Sequence, residues 1–298
     1  MKKFLATFIF LLTTNTVFAV SVVDDEDNIV ELSKPAQRVI TLAPSLTEMI
    51  YSIGAEDRLV ATVQFSDFPA EAKDKPRIGN YERFVMERLL SFQPDLVVAW
   101  LSVNNGQQLK QLEKLGIPVY RSGPEKLSDI SHTIKNLGIL VGQQERSNQV
   151  ANEFDNRLES IRNKNKHKRV LNAFYQVWHK PIYTVNGKDT ISKIMRLCRL
   201  KNVFENAMVL APKVTVESVV KHNPEIIIAG DNNSGPADWV KMWSSWPTIQ
   251  AVKNNNLFYI DPDLIHRQSI RILDAAEIMC KQADSARMNI KKNRDQTH

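Results

Sequence analysis

The segment Gln143–Lys166, QQERSNQVANEFDNRLESIRNKNK, is an uninterrupted helical pattern near the middle of the 298-residue chain. It contains no glycine or proline, and Val150, Phe154, Leu158 and Ile161 recur at steps of four, four and three residues. These positions form a single apolar stripe on an otherwise charged or amide-bearing helix. At 1.5 Å per residue the helix spans roughly 36 Å, longer than one small α/β layer needs. We interpret it as a rigid helix that joins two lobes; the alternative is an ordinary long surface helix of a single domain.

Short apolar runs alternate with helical patterns on both sides of this connecting helix. The predicted strands are Arg38–Leu42, Leu59–Val63, Asp95–Trp100 and Pro118–Arg121 before it, and Arg169–Val177, Glu225–Gly230 and Leu257–Asp261 after it. Alternation of strand, turn and helix favours parallel sheets with helices on both faces. The sequence therefore predicts an α/β fold with lobes at residues 20–142 and 167–283, a connecting helix at 143–166, and a solvated tail at 284–298.

An internal repeat relates the two flanks. Residues 86–99, MERLLSFQPDLVVA, align without gaps with residues 216–229, VESVVKHNPEIIIA, at an offset of 130. Each copy is a short helix, a helix-ending proline and a buried strand. Such units are common, so the repeat favours a duplication without proving it. Two related lobes predict a binding protein with its site in the cleft between them.

The first 19 residues have the pattern of a secretory signal peptide. Lys2 and Lys3 precede the apolar run Phe4–Leu12, and small residues follow up to Ala19. The run is too short to cross a bilayer as a helix. No cysteine lies directly after this apolar run, where a lipid anchor would be attached, so we expect a periplasmic protein without a lipid anchor. The formal charge of +6 comes without a basic stripe interleaved with aromatics, which argues against nucleic acid as a partner.

Cys198 and Cys280 are the only two cysteines. In an exported protein an even pair is expected to form a disulfide. The closed loop would hold 280 − 198 = 82 residue steps, and its chain entropy corresponds to a stabilisation on the order of 4 kcal/mol. Two buried free thiols are the alternative. No histidine or further cysteine lies at ligand spacing from either residue, so no metal site is predicted.

The chain resembles the periplasmic substrate-binding proteins of ABC importers for vitamin B12, haem and iron siderophores. The resemblance covers nearly all of the chain after the signal peptide. It rests on residues 35–48 (PAQRVITLAPSLTE), residues 115–119 (LGIPV), both repeat copies and residues 251–261 (AVKNNNLFYID). The cobalamin-binding branch is similar in further detail, at residues 65–69 (FSDFP), at residues 98–100 (VAW) and in the placing of both cysteines.

This resemblance implies the two-lobed architecture of the class III periplasmic binding proteins. It also implies cobalamin as the transported ligand, no prosthetic group, and a permease dimer in the inner membrane as the partner of a monomeric chain. Haem or a ferric siderophore is the alternative ligand.

Aromatic residues near predicted strand ends are the candidate ligand contacts. Ligands of open parallel sheets bind beyond the carboxyl ends of the strands, and the candidates there are Phe65, Tyr81, Trp100, Trp178 and Tyr183. Each of these could equally belong to the core of a lobe. Where the resembled branch implies tryptophans, the chain has Tyr81, Ala211 and Leu264, so the second wall of the cleft is expected to be less aromatic. Trp239, Trp243 and Trp246 are predicted to be core residues.

The polar candidates follow the last predicted strand. Asp263 and Arg267 match the resembled branch and are expected at the cleft rim, where they could bind the amide or phosphate periphery of a ligand. His266 and His179 could ligate a metal centre in the ligand, although isolated histidines are more often structural.

No G-x-S-x-G turn, P-loop or H-E-x-x-H motif is present. No catalytic residue is therefore predicted, and a secreted hydrolase is a remote alternative.

Glu87 and Glu217 occupy the same position in the two repeat copies, near the start of a short helix. The simpler interpretation is that each complements the helix dipole. In the resembled family a glutamate at this place on each lobe docks onto arginines of the permease. The matching positions therefore predict a pair of permease-docking carboxylates.

Overall fold

The segments before the connecting helix form the first lobe. A computed structural model of the chain describes residues 19–80, 82–230 and 236–296. The elements of this lobe are strands β1 (Val20–Val23), β2 (Ile29–Leu32), β3 (Val39–Thr41), β4 (Leu59–Ala61), β5 (Leu96–Trp100) and β6 (Val119–Ser122), and helices α1 (Pro44–Ser52), α2 (Met86–Ser91), α3 (Gly106–Lys114) and α4 (Asp129–Leu140). β1 and β2 pair as an antiparallel hairpin. The other four strands are parallel, in the spatial order β4-β3-β5-β6.

The segments after the connecting helix, α5 (Gln144–Asn165), form the second lobe. Its elements are strands β7 (Leu171–Gln176), β8 (Trp178–His179), β9 (Ile182–Tyr183), β10 (Leu200–Asn202), β11 (Ile226–Ala229) and β12 (Leu257–Tyr259), and helices α6 (Thr190–Leu197), α7 (Val216–His222), α8 (Pro236–Ser244), α9 (Gln250–Lys253), α10 (Pro262–Ile265) and α11 (Ile272–Asp295). β8 and β9 form a short antiparallel hairpin. The remaining strands are parallel, in the order β10-β7-β11-β12.

The two sheets have the same topology. Numbered within its own lobe, each sheet has its second strand at one edge, followed by the first, third and fourth strands. The sequence repeat falls on equivalent elements, because α2 precedes the third strand of the first sheet and α7 precedes the third strand of the second. The prediction of two parallel-sheet α/β lobes is confirmed, and the shared strand order supports a duplication.

The acidic residue after the proline has the same role in both copies of the repeat. Asp95 accepts hydrogen bonds from the backbone N–H groups of Gln37 and Arg38, both at 2.8 Å. Glu225 accepts one from the backbone N–H of Asn172 at 3.0 Å. In each lobe this acid ties the start of the third strand to the start of the first. The bonds satisfy backbone donors that the sheet itself leaves without a partner.

Helix α5 packs along one face, as its apolar stripe predicts. Its buried residues are Ser147, Val150, Ala151, Phe154, Leu158, Ile161 and Asn165. The helix contacts α4 of the first lobe and α6 and α11 of the second. At the α4 contact, a Cβ on Gly138 would come within 1.8 Å of the Ser147 Oγ. Glycine is therefore required there, because it alone lets the two helices approach so closely.

The main apolar core runs through both lobes. It continues from Leu46 and Ile134 in the first lobe, through Phe154 in α5, to Ile194 and Met279 in the second. Smaller clusters cover the other face of each sheet. The lobes therefore share buried surface along the connecting helix, and burial of that surface opposes their separation.

The C-terminal segment differs from its prediction. A solvated tail was expected at residues 284–298, but residues 284–295 are instead the last part of α11, which buries Ala286 and Ile290. These two residues continue a stripe that begins at Met279 and Ala283. The run KKNR at residues 291–294 hid this pattern, because it follows Ile290 directly and no apolar residue continues the stripe after it.

Three tryptophans of α8 and the following segment were expected in the core. Trp239 and Trp243 are buried in the second lobe, whereas Trp246 is 37% exposed. Trp243 also uses its polar edge, because its Nε1 donates to the Gln176 Oε1 at 2.8 Å. Trp246 lies after the end of α8 and therefore leaves the buried face of that helix.

The predicted disulfide between Cys198 and Cys280 is present, with the two Cα atoms 4.7 Å apart. It joins the residue that ends α6 to the middle of α11. Arg287 reinforces this junction, because its guanidinium donates to the Cys198 carbonyl at 2.8 Å. The second lobe therefore has a covalent link between two of its helices.

The predicted signal peptide at residues 1–19 lies outside the described residues except for Ala19. Within the ranges that the structure describes, no helix is both long enough and apolar enough to cross a bilayer.

Candidate ligand-binding cleft

Trp100 lies where the topology of the first sheet places a binding site. The second strand, β4, pairs with one edge of the first strand, β3, and the third strand, β5, pairs with its other edge. Ligands of such sheets bind beyond the carboxyl ends of the strands at this change of direction. Trp100 ends β5 and is 9% exposed. Asn104 holds this corner: its Oδ1 accepts from the Trp100 N–H at 2.5 Å, and its Nδ2 donates to the Leu42 carbonyl at 3.1 Å.

Buried hydroxyl groups fix the loop that follows β4. The Oγ1 atoms of Thr41 and Thr47 lie 3.0 and 2.7 Å from that of Thr62, and Thr62 donates to the Ser66 Oγ at 2.8 Å. Arg77 adds a bond from its guanidinium to the Ser66 carbonyl at 2.7 Å. Buried polar groups are costly unless each has a partner, so a satisfied network of this kind specifies one loop conformation.

The loop held in this way presents two aromatic side chains. Phe65 has a left-handed backbone, with φ of 65°, and is 64% exposed. Phe68 is 41% exposed, and the guanidinium carbon of Arg271 lies 3.7 Å from its ring centroid. Such a cation–π contact orients the ring. The loop thus displays large apolar faces on a rigid base.

A buried carboxylate links the two lobes beneath this loop. Glu48, in α1 of the first lobe, accepts from the Ser269 hydroxyl and lies 3.1 Å from Arg267 Nη1 and 3.2 Å from Arg271 Nη1. Its side chain is 1% exposed. We call Glu48, Arg267, Ser269 and Arg271 the interlobe cluster. Opposite charges at this depth hold each other strongly, because neither can be solvated by water instead.

Arg267 has two further carboxylate partners. Its Nη1 lies 2.8 Å from Asp67 in the first lobe, and its Nη2 lies 2.9 Å from Asp263 on α10 of the second. The guanidinium is therefore surrounded by three acids. Although burial lowers the pKa of Arg267, its hydrogen bonds to Asp67 and Glu48 outweigh that and raise it above the ordinary value. The side chain stays charged at every physiological pH.

The pKa of the Glu48 carboxyl group is also raised, but for an acid this shift favours the neutral form. Burial raises its pKa above the ordinary value, and the Ser269 hydroxyl and the charges of Arg271 and Arg267 offset this only in part. Removing the carboxylate from water costs more than its partners return.

The hairpin β8–β9 lies beyond the carboxyl end of β7 in the second lobe. Trp178 and Tyr183 face each other across it as paired residues, and both are half-buried. The Trp178 Nε1 donates to the Lys180 carbonyl at 3.2 Å. These two predicted ligand residues therefore lie opposite each other on the two strands of the hairpin.

An exposed apolar segment lies beside this hairpin. Met208, Val209 and Leu210 are 97%, 59% and 53% exposed. The segment is bound along the chain that follows β9, because the Asn186 N–H donates to the Leu210 carbonyl at 2.8 Å and its side-chain amide donates to the Ala207 carbonyl at 3.1 Å. A contiguous exposed apolar stretch usually marks a binding surface.

The structure brings some of the predicted site residues together and separates others. Asp263 and Arg267 meet in the interlobe contacts, and Trp178 pairs with Tyr183. Phe65 follows β4 and Trp100 ends β5, and β3 lies between these two strands in the first sheet. Tyr81 lies outside the described residues. The roles of these residues in ligand binding stay predictions.

Ala211 and Leu264, where the resemblance implied tryptophans, differ in their exposure. Ala211 continues the exposed apolar segment, whereas Leu264 is half-buried against the main core.

The Nε2 of His266 lies 3.1 Å from the hydroxyl of buried Tyr175, which favours a structural role for that histidine. Among the described residues, no three His, Cys, Asp or Glu side chains are grouped in a way that could hold a metal ion.

Residues important for the cleft were missed from the sequence. Glu48, Ser269 and Arg271 form most of the interlobe cluster, yet Glu48 and Arg271 are 223 positions apart in the chain. The only available signal was a charged residue, Glu48, within an apolar helical run. The apolar segment from Met208 to Leu210 was missed as well, because it lies in a loop without periodicity.

Comparison with known proteins identifies the family. Residues 39–264 match the family model described as periplasmic binding protein. The vitamin B12-binding protein of Vibrio campbellii is 35% identical over 257 residues, which cover 85% of this chain and 91% of that protein.

Solved structures show the same fold. The periplasmic vitamin B12-binding protein BtuF of Vibrio cholerae superposes with a TM-score of 0.78 at 31% identity, covering 85% of this chain and 98% of that one. The periplasmic haem-binding protein RhuT from Roseiflexus reaches 0.75 at 17% identity, covering 84% and 99%, and at that identity supports the fold alone. The chain therefore belongs to the periplasmic binding protein family.

Proposed function

We propose that this protein binds cobalamin in the cleft between its two lobes and delivers it to the permease of an ABC importer. The observation that carries the choice of ligand is the 35% identity to a vitamin B12-binding protein over 85% of the chain. The matched family consists of binding proteins and is not an enzyme class.

The surfaces at the strand ends support a large ligand with a flat ring system. The first lobe offers the exposed ring of Phe65 and the partly exposed edge of Trp100, and the second offers Trp178 and Tyr183. Aromatic faces bind flat rings over a large area at a small loss of conformational freedom. We propose that these residues, together with Tyr81, contact the corrin ring.

Asp263 and Arg267 have different roles in this proposal. The Asp263 side chain is 48% exposed and can accept hydrogen bonds from amide groups at the edge of a corrin ring, whereas the Arg267 side chain is 10% exposed. Because three carboxylates already surround Arg267, its main effect is to hold the rim of the cleft in place. Asp263 and Arg267 are thus proposed as a ligand contact and its support.

Visible spectroscopy after desalting tests the choice of ligand. The pure protein is incubated separately with cyanocobalamin, haemin and a ferric siderophore, and each sample is passed through a desalting column. We expect the corrin absorption bands, and no others, to elute with the protein at about one equivalent. Retention of haemin or siderophore without cyanocobalamin would reject the cobalamin assignment and keep the family.

We also propose export and docking. Residues 1–19 act as a signal peptide and the chain works as a monomer in the periplasm, without a resident prosthetic group.

Glu87 and Glu217 are exposed first-turn residues of the equivalent helices α2 and α7. The Glu217 carboxylate accepts from its own backbone N–H and bonds to Thr215, which lowers its pKa. Both side chains are exposed and accessible for charge-assisted contacts with arginines of the permease dimer.

A further inference from the structure

A cavity lined by cations lies where the connecting helix meets both lobes. Its volume is about 520 Å³, and its charged lining residues are Lys126, Arg162, Lys166, Lys193, Arg196 and Arg199. We call these six residues the basic pocket. Lys126 belongs to the loop after β6 in the first lobe, Arg162 and Lys166 to the end of α5, and the other three to α6 and its end in the second lobe. None of the proposed cobalamin contacts lines it.

Four of the six cations of this pocket lack the carboxylate partners that three other arginines of the molecule have. Arg121, Arg157 and Arg267 each bind at least two carboxylates. In contrast, Lys126, Lys166, Arg196 and Arg199 form no ion pair with any carboxylate in the described part of the chain. Like charges lining one concave surface repel each other, and low-dielectric walls strengthen the repulsion.

The acids nearest to the pocket are already engaged. Glu159 pairs with Arg162 on the same helix. Asp189 accepts from the Ile191 N–H and caps α6, and Asp129 accepts from the Lys126 backbone N–H at 2.7 Å. Asp189 and Asp129 satisfy local backbone donors and Glu159 neutralises one of the six cations, Arg162, so most of the positive charge in the basic pocket is not neutralised by the protein.

Lys193 shows that the pocket is partly removed from water. Burial lowers its pKa below the ordinary value, with Arg196 adding to this effect and the carboxylates of Asp189, Glu125 and Asp129 opposing it. Its ammonium group donates to the Glu125 carbonyl and thereby bridges the second lobe to the first. The pocket is therefore formed by both lobes together.

We propose that the basic pocket binds an oxyanion carrying several phosphate groups. Arginine and lysine donors converging on one cavity match the charge and the acceptor geometry of phosphate oxygens. The volume would hold on the order of 15 water molecules, which is more than a single orthophosphate displaces. A linear di- or triphosphate, or the phosphate headgroups of a lipid, therefore fits the space better. A bound polyanion would bridge Lys126 in the first lobe and Arg196 in the second.

Calorimetric titration with sodium tripolyphosphate tests this site. The wild type is compared with a Lys126→Gln/Arg196→Gln variant and with a Lys110→Gln/Lys253→Gln control. The control residues are exposed, lie one in each lobe and have no ion pair to a described residue, so both variants lose the same charge.

We expect the wild type to bind about one tripolyphosphate, the pocket variant to bind it roughly 10- to 100-fold more weakly because two charge-assisted contacts are lost, and the control to stay within about twofold of the wild type. Absence of binding to the wild type would overturn the proposal. So would equal weakening in both variants, because net charge alone would then explain the effect.

Two further arms identify the source of the phosphate. Orthophosphate is titrated in parallel, and phosphatidylglycerol vesicles are tested by co-sedimentation. Vesicle binding that is lost only in the pocket variant assigns the site to lipid phosphate, and tripolyphosphate binding alone assigns it to a free polyphosphate. Cyanocobalamin binding by the pocket variant serves as the check on folding. Because that binding uses other residues, a failure of this proposal leaves the proposed function untouched.

Discussion

The two lobes share a strand order and a repeat, yet they build the surface beyond their strands differently. In the first lobe the loop after β4 is held by buried side-chain hydroxyls and displays Phe65 and Phe68. In the second lobe the apolar segment from Met208 to Leu210 is held mainly through its backbone. The comparison shows that the two lobes keep one topology while the loops beyond their strands diverge.

The lobes also differ in how they are linked. The second lobe contains the Cys198–Cys280 disulfide, whereas the interlobe cluster around Glu48 adds ionic contacts to the apolar core that the two lobes share. One link is covalent and lies within a lobe; the other is ionic and joins two lobes. Substitutions can separate the two contributions.

The Glu48→Ala substitution is expected to have the largest effect. It leaves Arg267 and Arg271 without their buried carboxylate, and breaking a buried pair in this way costs about 3–5 kcal/mol. Urea unfolding followed by circular dichroism measures the loss. Asp263→Ala is the matched control, since it removes a half-exposed partner of the same Arg267 and should cost less than about 1 kcal/mol. Equal losses in both variants would contradict the role given to Glu48.

Removing the disulfide is expected to have the next largest effect. In a Cys198→Ala/Cys280→Ala variant the unfolded chain regains the freedom that the 82-residue separation restricts, so the free energy of unfolding should fall by about 2–5 kcal/mol. Hydrogen exchange should show weaker protection in α6 and α11 than in the first-lobe sheet. A loss of protection spread evenly over both lobes would contradict a local effect.

A smaller effect is expected in the pH dependence of stability. The pKa of Glu48 is raised above its ordinary value of 4.5 in the folded protein, so the folded state holds this proton more tightly than the unfolded state does. The resulting stabilisation is present below pH 4.5 and is lost as the pH rises through the raised pKa. The unfolding free energy of the wild type minus that of a Glu48→Gln variant should therefore fall as the pH rises from 4.5 toward 7. A difference that rises over this range would show that the arginines dominate.

The Glu87→Gln/Glu217→Gln variant should leave stability and ligand affinity unchanged, since both carboxylates are exposed. It should nevertheless abolish cobalamin uptake in cells that depend on this protein. A Glu31→Gln/Asp238→Asn variant alters two other exposed acids, one in each lobe, and should support normal uptake. Unimpaired uptake by the Glu87/Glu217 variant would leave only the helix-dipole interpretation for the repeated glutamates.

Periodicity and repetition were sufficient to predict most of the fold. The apolar stripe of α5, the alternation of strands and helices, and the repeat at Glu87 and Glu217 are local signals, and the structure follows them. β10 was missed because its three residues, Leu200–Asn202, are too few to show any pattern. Its place at the sheet edge is set by pairing with β7, which no local pattern reports.

The site was less predictable because its key contacts are distant in the chain. Glu48 and Arg267 are separated by 219 positions, and nothing around either residue indicates the other. Phe65 and Trp178 could be proposed as ligand contacts from their places at strand ends. Whether each faces a ligand depends on loops such as the segment at Met208, whose conformation is set by tertiary contacts.

Isothermal titration with cyanocobalamin tests most directly whether one ligand contacts both lobes. The wild type, Phe65→Ala in the first lobe and Trp178→Ala in the second are compared, because both side chains are accessible and their removal should leave the apo melting temperature nearly unchanged. We predict one cobalamin per chain for the wild type and a loss of about 1–3 kcal/mol of binding free energy in each variant. Absence of cobalamin binding to the wild type, or a loss confined to one lobe, would contradict a site formed between the two lobes.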